Sequence, residues 1–127
     1  MDLTNRTKSR AKAIEVLYAY DMTNDLNLTD LDDYATVLVT GVIKDLEKID
    51  NIISENLFNY TINRLNMVDK AIIRVATYEL LRGELAKQVI INEAIELTKV
   101  YTNLDDDKAK AFNNKLLDNI SKYIESR

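Results

Sequence analysis

The sequence predicts an all-α fold, a compact bundle of about seven helices, and three observations carry that prediction. The 127 residues contain no proline and only two glycines, Gly41 and Gly83, which leaves little of the punctuation that hairpins and sheets require. Apolar residues recur at alternating intervals of three and four along most of the chain. At 46% hydrophobic and 30% charged, the composition is that of a folded globular domain. Residues 1–127 are read as one domain with a basic N-terminal arm, residues 1–12.

Helical spacing of Ala13, Val16, Leu17 and Tyr20 predicts a first helix from Thr4 to about Met22 that starts inside the basic arm. Asn24 to Asp30 is dense in Asn, Asp and Thr, whose side chains compete for backbone hydrogen bonds, so it reads as a loop. From Leu31 to about Leu57 the apolar series runs too long for one helix. A break is expected near Gly41 to Asp45 or near Asp50, unless Gly41 marks a close helix-helix contact. Asn59 to Asn66 is a connection, and Val68 to Arg82 a strong helix with Val68, Ala71, Ile72, Val75 and Leu80 inward, stopped by Gly83. A further helix runs from Lys87 or Val89 to Tyr101, with Ile91, Ala94, Ile95 and Thr98 on one side. Asn103 to Asp107 interrupts, its acids suited to the positive end of a last helix, about Lys108 to Ile124. That helix should bury Phe112, Leu116, Ile120, Tyr123 and Ile124.

The absence of cysteine and histidine excludes disulfides, Cys/His zinc sites, imidazole bases and thiol nucleophiles. Runs such as Val37-Leu38-Val39 are far too short to span a bilayer, and no apolar stretch follows the first residues, so a cytoplasmic protein with no membrane role is expected. Net charge is −4, but Arg6, Lys8, Arg10 and Lys12 against Asp2 give residues 1–12 a charge of +3 and leave −7 for the remainder. A basic arm on an acidic body is either a solvated tail or an RNA-binding segment, and the acidic body would attract a basic protein. Glu93 and Glu96, one helical turn apart with Asp105, Asp106 and Asp107 downstream, could hold Mg²⁺ in a helical nucleotide hydrolase. That reading needs further acids on a facing helix, where Asp69 and Glu79 are available. No phosphate loop or nucleophile motif accompanies it, so recognition outweighs catalysis, with no catalytic residue, metal or cofactor assigned.

Four segments resemble the NusB family of bacterial transcription antitermination factors. They are Arg10-Ala-Lys-Ala-Ile-Glu-Val-Leu-Tyr18, Asp69-Lys-Ala-Ile-Ile-Arg-Val-Ala-Thr-Tyr-Glu-Leu80, Val89-Ile-Ile-Asn-Glu-Ala-Ile-Glu-Leu97 and Phe112-Asn-Asn-Lys-Leu-Leu-Asp118. The second, similar to the family's Asp-Arg-Ala-Ile-Leu-Arg-x-Ala-x-Tyr-Glu-Leu, is the most diagnostic. The resemblance implies two packed three-helix units and no catalytic activity. It also implies that the protein binds single-stranded boxA-like RNA of ribosomal RNA leaders with NusE, a small-subunit ribosomal protein, within the antitermination complex of RNA polymerase.

The resemblance carries RNA contact onto Arg6, Lys8 and Arg10, with Lys12 added, since basic side chains around a helix start can reach several phosphates. Tyr18 corresponds to a family tyrosine near both RNA and partner, against a purely packing role. Glu79 corresponds to an acid facing NusE, against an ordinary exposed acid. Phe112 is either a stacking platform for a base or a core residue. Asn92 and Glu93 are expected to tie helix ends together by hydrogen bonds rather than to touch a ligand. Three departures from the pattern occur: Ala86 stands where the family has proline, Phe58 or Tyr60 where it has tryptophan, and Asn113 and Lys115 where it has valine and glycine. Lys115 either adds a phosphate contact or marks a drifted surface. The alternatives are a NusB-fold scaffold that binds protein without specific RNA recognition and, remotely, the Mg²⁺ hydrolase. A homodimer stays open.

Overall fold

Helix ends fall where the polar residues of the sequence put them. The chain is described from a computed structural model that covers residues 3–102 and 107–127, with side chains from Asn5 onward. Six α-helices follow one another: α1 (Leu3–Thr23), α2 (Asp33–Lys44), α3 (Leu46–Glu55), α4 (Met67–Arg82), α5 (Lys87–Tyr101) and α6 (Lys108–Glu125). A single 3₁₀ turn, Ile62–Arg64, lies in the connection before α4, and no strand occurs among the described residues. The Asp32 carboxylate caps α2 by accepting from the Ala35 backbone N–H at 2.8 Å. Asn66 caps α4 through Val68 N–H at 2.9 Å. Gly83, at φ 66°, closes α4 in the left-handed region that glycine reaches without strain. Ala86 starts α5 at φ −60°, so the backbone keeps an angle proline would impose. The expected complement of acids before α6 concerns Asp105 and Asp106, which lie outside the described residues; Asp107 makes no side-chain cap.

The stretch from Leu31 to Leu57 breaks at Asp45, within the first of the two places expected, which ends α2 and begins α3; the described residues form six α-helices where about seven were expected. Gly41 also marks a close contact, because a Cβ there would overlap the Tyr78 ring of α4. Helix α4 packs against each of the other five and is buried almost all round, from Lys70 to Thr77 and again at Glu79 and Leu80. It is shared by the two three-helix layers: α4, α5 and α6 pack mutually, and α1, α2 and α3 cover its other side. The core is aliphatic, with Ile14, Leu38, Ile49, Ile53, Ile72, Ile73, Ile90, Leu117 and Ile120 fully enclosed.

Two helical faces differ from expectation. Helix α1 buries Ser9, Arg10, Ala13, Ile14 and Leu17, leaving Val16 and Tyr20 half-buried. Helix α6 turns Asn113 inward and Phe112 outward. Asn113 Nδ2 donates to Asp69 Oδ1 and to Thr98 Oγ1, both at 3.1 Å, and Thr102 Oγ1 donates to the same Asp69 oxygen at 2.6 Å. This polar knot ties the start of α4, the end of α5 and the start of α6, which rewards burying an amide over a phenyl ring. Further along α4, Lys70 pairs with Asp21 at 3.2 Å, and Arg74 grips Asp50 through two bonds of 2.8 and 2.9 Å.

Candidate nucleic-acid interface

The first turns of α1 are docked, not loose. The Arg6 guanidinium lies 3.8 Å from the centre of the Tyr34 ring on α2. Thr7 donates to Glu93 of α5. Ser9 reaches both oxygens of the α2 cap Asp32 at 2.9 Å. Arg10 forks onto Glu79 of α4, Nε to Oε1 at 2.8 Å and Nη2 to Oε2 at 2.9 Å, while Nη1 donates to Glu93 at 2.9 Å. The Tyr34 hydroxyl donates to the second Glu79 oxygen.

Electrostatics follow from this packing. Burial works against the Arg10 charge, but the hydrogen bond to Glu79 and the charges of Glu79, Tyr34 and Glu93 outweigh it, so the guanidinium pKa lies above its ordinary value. Burial, then the bond to Glu79, raises the Tyr34 phenol above its usual range. The Ala35 N–H holds the Asp32 carboxyl below the usual carboxylate range, with desolvation opposing and Ser9 adding to it.

Of the residues assigned to RNA, Lys8 and Lys12 project from one exposed face of α1 and make no ion pair with another described residue. Arg6 is half-buried beside them, and Tyr18 is half-buried two turns further on. Arg10 and Glu79, expected to face RNA and NusE, face each other: each side chain is 3% exposed. Packing of α1 against α4 closes the site to solvent, and the guanidinium forked onto Glu79 and bonded to Glu93 is paired as a buried charge must be. Phe112 and Lys115 lie elsewhere. Arg10 meets Glu79 near the end of α4, whereas Asn113 meets Asp69 near its start, ten residues and about 15 Å away along the axis.

Phe112 is 40% exposed and stacks at a tilt on Tyr60, with ring centres 5.5 Å apart. A groove beside it is lined by Leu57, Phe58, Phe112, Lys115 and Leu116, and Arg64 sits 5.5 Å over the Tyr60 ring. Phe58, 74% exposed, and Tyr60 stand in the sequence only as replacements for a tryptophan; they lie in the connection between α3 and the 3₁₀ turn, where no helical face buries them. Thr7, Ser9, Tyr34 and Asp32 had no such signal, because each depends on a distant partner. Glu93 and Glu96, weighed as a Mg²⁺ pair, diverge: Glu93 turns to Arg10, and Glu96 is exposed beside Lys99 at 3.3 Å. Among the described residues no group of three acids could hold a metal ion, and no helix is long and apolar enough to cross a membrane.

A helical body whose buried charges lock its elements together, carrying exposed cations on one docked helix and exposed rings on another helix and the connection beside it, has the build of a recognition protein. A sequence profile of the NusB family matches residues 7–122, and this chain belongs to that family. It is 41% identical to the transcription antitermination protein NusB of Aliarcobacter butzleri, covering 94% of this chain and 99% of that one. It superposes on the solved NusB of T. maritima with a TM-score of 0.80 and 30% identity, over 92% of this chain and 90% of the other. A chain in a crystal structure of antitermination factors NusB and NusE in complex with double-stranded RNA matches at a TM-score of 0.81 and 26% identity, over 96% and 99% of the two chains.

Proposed function

We propose that the protein is a transcription antitermination factor of the cytoplasm that binds boxA-type RNA of ribosomal RNA leaders together with NusE, within the antitermination complex of RNA polymerase and without chemistry of its own. The observation that carries this is the pair of exposed lysines, Lys8 and Lys12, without an ion-pair partner among the described residues, on a helix start pinned to an otherwise acidic body. Clustered cations attract phosphate there while the body repels it elsewhere, so RNA is directed to one face. Family membership and the NusE and RNA partners of a solved relative support the reading. Arg6 lines the edge of this face. Phe112 and Lys115, with Phe58, Tyr60 and Arg64, offer stacking and phosphate contact to an unpaired segment at the other end of α4. Tyr18 serves the partner side. Arg10 and Glu79 hold the arm rather than touch either ligand.

The test is a titration of fluorescent boxA RNA, single-stranded and duplex, with the protein alone and premixed with NusE at two salt concentrations. Tight binding of the single strand mainly in the premix is expected. Three phosphate contacts on the arm give a slope of log K against log salt of roughly −2 for a single strand. Complex formation with NusE without RNA binding would leave a protein-binding scaffold instead.

A further inference from the structure

Beneath the exposed lysines, α1 carries a second set of contacts. Arg6, Thr7, Ser9 and Arg10 reach Tyr34, Glu93, Asp32 and the Glu79–Glu93 pair on three other helices and one cap. A helix start dense in like charge would otherwise fray, since its first turns have few backbone partners and its cations repel. Glu93 is a hinge point of this clasp, because it takes bonds from two arm residues one turn apart, Thr7 and Arg10.

We propose that Glu93 is a positioning residue for RNA recognition: by holding Thr7 and Arg10 it keeps the first two turns of α1 docked, so that Lys8 and Lys12 meet phosphates as a fixed pair. This rests on the reading that those lysines contact RNA. By charge alone, deleting a carboxylate beside two phosphate-binding lysines raises RNA affinity, because carboxylate and phosphate repel. If Glu93 positions the lysines, deletion lowers affinity, because only the fraction of molecules with a docked arm binds tightly.

Labelled single-stranded boxA RNA is titrated with the full chain in the presence of NusE, and amide exchange of residues 5–12 is followed in parallel. Glu93→Ala is expected to bind about tenfold more weakly, with arm amides exchanging about tenfold faster, as for an arm docked roughly a tenth of the time. Glu93→Gln loses the same charge but keeps an oxygen for Thr7 and Arg10, and should recover most of the affinity. Glu15→Gln, an exposed acid on the same helix, should bind RNA as well as or better than the parent. Thr7→Val, neutral in charge, should weaken binding in the direction of Glu93→Ala and keeps the test alive if that variant fails to fold. Glu93→Ala or Thr7→Val binding RNA as tightly as the parent overturns the positioning role. A parent that binds no RNA overturns the functional reading itself.

Discussion

Near the end of α4 one guanidinium, Arg10, is shared by two carboxylates, Glu79 and Glu93; near its start two cations, Lys70 and Arg74, meet two carboxylates, Asp21 and Asp50. The first network carries one surplus negative charge and its Arg10–Glu79 pair is sealed, with Glu93 at its partly exposed rim, while the second is balanced and both of its acids are partly exposed to water. Burying charge costs solvation that pairing restores only when geometry is good, so a sealed network with a single cation depends wholly on that cation. A balanced, wetter one shares the load. The difference teaches that the arm end of the molecule is its brittle end, and that the sequence's most conspicuous basic segment is half devoted to structure.

The comparison breaks first at Arg10. Arg10→Met should cost about 3–5 kcal/mol in guanidinium chloride unfolding at neutral pH, because it strands Glu79 in the interior. Arg10→Met combined with Glu79→Leu should recover half of that or more. Arg74→Met should cost less, about 1–2 kcal/mol, since Lys70 still serves Asp21 and water reaches Asp50. Equal losses at Arg10 and Arg74 would erase the distinction.

Asp32→Ala removes the α2 cap and the anchor of Ser9 together and should cost about 1 kcal/mol. The Asp32 carboxyl is held below its usual range, so its contribution is complete above the unfolded carboxylate value near pH 4 and fades as pH falls through the folded one. The acid limb of the variant's stability profile should therefore be flatter. Tyr34 sharpens the contrast from the alkaline side. Its phenol is raised, so its contribution is complete below about pH 10 and is lost as pH climbs through the folded value. Between the parent and Tyr34→Phe, the stability difference measured by urea unfolding should shrink above pH 10. Lys8→Ala, outside both networks, should change stability by less than about 0.5 kcal/mol yet lower the salt slope of RNA binding by about 0.7.

Much of the fold was legible because it is written in neighbouring residues. The helix stop at Gly83, the break at Asp45 and the cap at Asn66 follow from turn chemistry within a few positions. The site was legible only in part. Lys8 and Lys12 are exposed as a basic arm predicts, but Phe112 and Asn113 exchanged faces, because an amide at position 113 finds Asp69 and Thr98 opposite it and apolar periodicity does not register such partners.

By itself, then, the sequence determined the all-α class, the order and nearly all the ends of the helices, and the placing of positive charge on the arm, since periodicity, capping and charge counts are local properties. The tertiary structure decided which charges would meet solvent. Arg10 has Glu79 and Glu93 as partners 69 and 83 residues away. Its neighbours along the chain make it look like Lys8 or Lys12, because a charged side chain's surroundings are set by the helices folded against it.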